Sequence, residues 1–79
     1  MGDAALLPLA FLPPGREVVV RGLAGGRGMR RRLTDMGIAP GAKVRVVRND
    51  GHGPLLMALG EARLAVGRGV ALKIMVEEV

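Results

Sequence analysis

The 79-residue chain contains no Cys, Ser, Gln, Tyr or Trp, and Phe11 is its one aromatic residue. Each absence removes a class of chemistry. Without Cys there is neither a disulfide framework nor a thiolate metal site, which leaves the redox compartment open. Without Ser, Cys or Tyr, the candidate nucleophiles reduce to Thr34, Lys43, Lys73 and the carboxylates. Proteins that bind single-stranded nucleic acid stack bases on exposed aromatic side chains, at roughly 1–3 kcal/mol per base. The only ring here, Phe11, is expected in the core. Proline-rich peptide grooves are lined by the same missing aromatics. A major-groove reader needs a longer helix carrying Asn, Gln or Ser among its basic residues, and the single Asn49 falls in a turn.

Other motifs are equally thin. His52 is the only histidine, placed in a Gly-flanked turn near Asp50, and one His with one Asp gives too few ligands for a metal. The glycine-rich stretch "GLAGGRGMR" lacks the Gly-Lys-Ser/Thr ending of a phosphate loop and the spacing of a dinucleotide loop. These residues provide no catalytic, cofactor or metal constellation, so a non-enzymatic protein is expected. The longest uncharged run, "AALLPLAFLPPG" (4–15), is too short to span a bilayer and is interrupted by Pro8, Pro13 and Pro14. It follows Asp3, with no basic segment before it and no small-x-small cleavage site, so it reads poorly as a signal peptide. A cytoplasmic protein is the expectation.

What is present is aliphatic and basic. Hydrophobic residues make up 49% of the chain, enough for the core of a single domain over residues 1–79. The net charge of +5 is unevenly placed. Residues 1–50 hold nine Lys/Arg against four acids, while residues 51–79 hold three of each. Such an excess suits an acidic partner, and it equally suits a solvated face.

Thirteen glycines and five prolines punctuate the chain into short pieces. An apolar turn, "LPLAFLPPG", is followed by a strand, "REVVVRG", with Val18 and Val20 on one face. After a glycine-rich link, "MRRRLTDM" reads as a two-turn helix. "AKVRVVRN" gives a second strand with Val44 and Val46 inward, and "DGHG" a hairpin-type turn. "PLLMAL" is apolar on both faces, "ARLAV" directs Leu64 and Val66 inward, and "GRGVA" is a short irregular turn. "LKIMVEEV" closes the chain with Leu72, Ile74 and Val76 on one face. Five short strands with one helix inserted after the first fit a mainly β fold, a small closed or half-closed barrel.

The helix carries the most distinctive pattern. Met29, Leu33 and Met36 form a narrow apolar stripe flanked by Arg30 and Arg32, with Arg27 and Arg31 on the far side. Asp35 lies one turn below Arg31, a pairing worth only about 0.2–0.5 kcal/mol. Gly37 suits the left-handed position that ends a helix, Ile38 can fold back onto the stripe, and Ala39-Pro40-Gly41-Ala42 suits a type II turn.

"LPPGREVVVRGL", "RRRLTDMGIAPGAKVRVVRN" and "GPLLMALGEARLAVGRGVALKIMVE" together resemble the FeoA family of small cytosolic proteins of bacterial ferrous-iron uptake. The strongest element is Arg32-Leu33-x-x-Met36-Gly37-Ile38-x-Pro40-Gly41, and the resemblance runs from about Leu9 to Glu77. It implies a five-stranded SH3-like barrel and a non-enzymatic role beside FeoB, the membrane permease with a cytosolic GTPase domain. The same barrel resembles the C-terminal domain of iron-dependent repressors. Two alternatives stand beside the adaptor reading: a basic barrel that binds nucleic acid or another anionic partner, and a stand-alone relative of that repressor domain. The chain departs from the family at Gly67 and Val70, where members often carry an Arg and an acid, and at Gly53, where an Asp commonly precedes the proline. Arg68 lies one residue from the missing Arg.

On this reading Leu33, Gly37, Ile38, Pro40 and Gly41 build the fold. The candidate partner-binding residues are Arg27, Arg30, Arg31, Arg32 and Met36, with Arg32 also placed to anchor a neighbouring loop through carbonyl hydrogen bonds. No cofactor is implied. Val19, Val47, Leu56 and Met75, expected to be exposed, are compatible with self-association or a partner.

Overall fold

Residues 5–79 are described by a computed structural model. Six strands form one antiparallel sheet: β1 (Leu7–Pro8), β2 (Glu17–Leu23), β3 (Lys43–Arg48), β4 (Leu55–Leu59), β5 (Ala62–Val66) and β6 (Ile74–Glu78). Their order across the sheet is β1-β6-β2-β3-β4-β5. A nine-residue helix, α1 (Arg27–Asp35), connects β2 to β3, and a single helical turn, α2 (Arg68–Ala71), connects β5 to β6. The expected mainly β architecture is present, with two additions. The apolar N-terminal turn contains a two-residue strand, paired Leu7 to Val76 and Pro8 to Met75, followed by a 3-10 turn at Leu9–Phe11. The irregular turn "GRGVA" contains α2.

Alternation produces the core. Val18 and Val20 of β2, Val44 and Val46 of β3, Leu55 and Met57 of β4, and Ile74 and Val76 of β6 are all buried on the same side. Leu9, Leu12, Leu33 and Ile38 are buried in the same cluster. No buried polar or charged side chain interrupts this aliphatic interior among the described residues.

Two bulges re-aim the strands. The β2–β6 register shifts between Val20 and Gly22, and the β3–β4 register shifts between Val46 and Arg48. An extra residue in one strand breaks the strict period of two and sharpens the local bend. Val47 is the residue left over in β3, and it is half-buried.

Two side chains fall elsewhere than the sequence suggests. Phe11, expected in the core, is 66% exposed, because the 3-10 turn directs Leu9 and Ala10 inward and the third residue outward. Leu72, expected to face inward with Ile74 and Val76, is exposed. It caps α2, two residues before β6 begins, so the period of the strand does not extend to it. Val19, Val47, Leu56 and Met75 are half-buried, not exposed.

A polar cluster joins three distant segments. Asn49 Nδ2 donates to the Ala10 and Leu12 carbonyls at 2.9 and 2.8 Å, fastening the N-terminal segment to the end of β3. The Asn49 Oδ1 accepts from Arg68 Nη2 at 2.6 Å. Arg68 also donates to the carbonyls of Gly53 and Ala10, at 3.3 and 3.4 Å. The single Asn of the sequence, read as a turn residue, is therefore a structural clamp.

Candidate functional site: the two sides of the arginine helix

The helix begins without a side-chain cap, at Gly26, and has no acid in its first turn. Its end is strongly specified. Gly37 takes φ +93°, its N–H donates to the Thr34 carbonyl at 2.9 Å, and the Ile38 N–H donates to the Leu33 carbonyl at 2.9 Å. That pair of bonds is a Schellman motif, and it carries Ile38 back into the core. The chain then reverses through Ala39-Pro40-Gly41-Ala42, with Ala42 N–H donating to Ala39 and Gly41 at φ +96°. Gly41 N–H donates to the Val20 carbonyl at 2.7 Å and Val20 N–H to the Ala42 carbonyl at 2.8 Å, tying the turn to β2. Leu33, Gly37, Ile38, Pro40 and Gly41 thus set where α1 lies on the barrel.

The five candidate partner-binding residues divide between two sides of α1. Arg27, Arg30 and Arg31 border a broad hollow of about 640 Å³ shared with Gly22, Leu23 and Pro40. Arg32 and Met36 lie on the opposite side, with Met29 and Leu33, along a groove of about 320 Å³. The far wall of that groove is Ala65, Val66, Gly67 and Val70. Leu33 is buried and Met29 half-buried, while Met36 remains 43% exposed. The structure therefore gives one basic side and one apolar side, joined by a helix.

Ion pairs hold few of the arginines, and Arg45, Arg48, Arg63 and Arg68 lack a carboxylate partner among the described residues as the α1 arginines do. Two ion pairs occur among the described residues, Arg16 with Glu78 and Arg21 with Glu77, each at 2.7 Å. Arg27, Arg30, Arg31 and Arg32 have no carboxylate partner among the described residues. The expected Arg31–Asp35 pair is not formed. Nor does Arg32 anchor a loop: it donates no side-chain hydrogen bond among the described residues, and the carbonyl contacts made by an arginine are those of Arg68, to Gly53 and Ala10. Arg27, at the start of the helix, also faces the positive end of the helix dipole, which costs about 0.3–1 kcal/mol.

The wall opposite α1 was not legible from sequence. "ARLAVGRGV" reads as a strand and a turn, and nothing in its spacing tells that Ala65, Val66 and Val70 come to face Met29 and Met36. No cluster of three or more metal-ligating side chains occurs among the described residues, and His52 is exposed in its turn. No helix among the described residues is long and apolar enough to cross a membrane.

An antiparallel sheet wrapped on an aliphatic core, with a short helix between its second and third strands, defines an SH3-like domain. Within that class the chain belongs to the FeoA family: the family model described as FeoA domain matches residues 7–78. A protein named "Putative Fe(2+) transport protein A", from Methanocaldococcus jannaschii, is 44% identical over 73 residues, 92% of this chain and 88% of that one. A crystal structure of an iron uptake regulatory protein (FeoA) superposes with a TM-score of 0.88 at 33% identity, over 95% of this chain and 100% of the other. The solution structure of the FeoA protein from Chlorobium tepidum gives 0.84 at 30% identity, over 92% and 70%. A manganese-dependent transcriptional repressor shares the fold, with a TM-score of 0.86 at 20% identity over 100% of this chain and 45% of its own.

Proposed function

We propose that this FeoA-family chain is a non-enzymatic, cytoplasmic adaptor of ferrous-iron uptake that docks on the cytosolic GTPase domain of a FeoB-type permease. The observation that supports this most is the state of α1. Four arginines clustered on one exposed helix lack carboxylate partners among the described residues; Arg45, Arg48, Arg63 and Arg68 lack them too, but are spread over three other elements. Arg27 additionally sits against the helix dipole. A fold optimised only for its own stability would place acids in that first turn. Unpaired arginines beside an exposed Met are the composition of a protein-binding surface. Family membership and the iron-transport name of a 44% identical relative supply the system in which the partner is sought.

Calorimetric titration of the cognate permease GTPase domain with the wild-type chain and with an Arg27→Glu, Arg30→Glu, Arg31→Glu variant tests the reading. The wild-type chain is expected to bind and the variant to lose at least about tenfold in affinity, equivalent to about 1.4 kcal/mol. Equal binding by both would remove the basic side from the account. The alternative basic-barrel reading makes a different demand, namely oligonucleotide binding that falls steeply with salt.

A further inference from the structure

The sheet has an open edge beside the apolar groove. Among the described residues β5 pairs with β4 alone and is the last strand in the order. β4 and β5 are joined by the two-residue turn Gly60-Glu61, with Gly60 at φ +61° and Glu61 not at positive φ, a type II′ hairpin. In such a hairpin the residues flanking the turn, Leu59 and Ala62, exchange hydrogen bonds, and the bonded pairs recur every second residue. The register therefore turns the backbone groups of Leu64 and Val66 toward Met57 and Leu55 of β4. Those of Arg63 and Ala65 point away from the sheet. Ala65 is also on the wall of the groove opposite Met29 and Met36. An unpaired row of N–H and C=O groups next to an apolar trench is a template for one more strand.

We infer that β5 accepts an extended, acidic segment of a partner protein as an additional strand, with alternate apolar side chains in the groove and a carboxylate on Arg32. Charge selects this occupant over a second copy of the chain. The edge strand carries Arg63, and Arg32 stands on the facing helix without a carboxylate partner among the described residues. Pairing two β5 edges would bring arginines together on a chain of net charge +5. A segment with an acid supplies both the backbone bonds and the missing counter-charge. The inference deepens the adaptor reading and rests on it for its biological setting, but the two fail separately, because the test below uses no permease.

The probe is a synthetic octapeptide in which Val and Leu alternate with Thr and two Glu close the sequence. Two further peptides are N-methylated at one alternate set of amides or at the other, and a fourth carries Lys for Glu. Amide shifts of the ¹⁵N-labelled full chain are followed during titration. The expected result is shifts at Arg63, Ala65 and the Arg32 side chain, with affinity reduced about tenfold or more by one N-methyl pattern and little by the other. The Lys peptide is expected to bind more weakly than the Glu peptide. Ala65→Pro should abolish binding while keeping the Met57–Leu64 pairing, since the N–H it removes points outward. Should Ala65→Pro fail to fold, the N-methyl pair decides on the unaltered protein. Absence of binding at millimolar peptide, equal effects of the two methylation patterns, or shifts confined to Arg27, Arg30 and Arg31 would each overturn the inference. So would protection of the Arg63 and Ala65 amides that rises with protein concentration alone, which would make a second copy the occupant.

Discussion

Asn49 and Arg68, nineteen residues apart, meet with a guanidinium nitrogen 2.6 Å from the amide oxygen, and between them they hold the carbonyls of Ala10, Leu12 and Gly53. The contact joins the N-terminal segment, the β3–β4 connection and α2. It lets a chain this small close its barrel end without an aromatic residue or a disulfide.

Asn49→Ala removes three hydrogen bonds at once, leaving the Leu12 carbonyl unserved and the Ala10 carbonyl with only the longer bond from Arg68. The expected loss is about 1–3 kcal/mol, because an orphaned buried polar group costs its desolvation. Urea unfolding should show a lower midpoint with an unchanged slope. An unchanged midpoint would mean that water replaces the amide without penalty.

Gly37 gives a sharper test of the helix stop. Its left-handed backbone costs a non-glycine residue about 1–2 kcal/mol, and a Cβ there would lie 3.1 Å from Leu59 Cδ2. Gly37→Val is therefore expected to destabilise more than Gly37→Ala, and Gly37→Asn least, since Asn tolerates this conformation. Thermal unfolding of the three variants checks the order.

Phe11 separates the sequence reading from the structure. A core aromatic truncated to a small residue costs about 3–5 kcal/mol, whereas an exposed one is worth within about 0.5 kcal/mol. With Phe11 66% exposed, Phe11→Ser should leave the unfolding midpoint nearly unchanged.

The contrast between Gly37 and Phe11 shows what this sequence discloses. Local conformational demands are written in local residues: Gly37, Ile38, Pro40 and Gly41 announce a helix stop and a type II turn, and both are present. Strand alternation likewise announced Val18, Val20, Val44 and Val46 as core. Positions that depend on which segments meet were not legible. A short apolar run cannot tell whether its third residue faces in or out, so Phe11 reads as core and is exposed. The Asn49–Arg68 contact and the wall of Ala65 and Val70 opposite α1 arise from topology, for which no residue spacing is a signal. The arginines were legible as a surface, but the division of Arg27, Arg30 and Arg31 from Arg32 and Met36 emerged only with the helix seated on the barrel.

Charge reversal at Arg27, Arg30 and Arg31 should spare the fold. All three side chains are exposed and without ion pairs among the described residues, so each change is expected to move stability by no more than about 0.5 kcal/mol. Circular dichroism and the urea midpoint should match the wild-type chain. A large loss of stability would assign these residues to the fold instead of to a partner.

The most direct test of the adaptor account is an NMR titration of the ¹⁵N-labelled chain with its cognate FeoB GTPase domain. It should be run near physiological ionic strength, where charges beyond about 8 Å are already screened. The account predicts localised shifts along residues 27–38, on one or both sides of α1, that are lost in the Arg27→Glu, Arg30→Glu, Arg31→Glu variant. Shifts elsewhere on the barrel with α1 silent, or no shifts at near-millimolar partner, would contradict it.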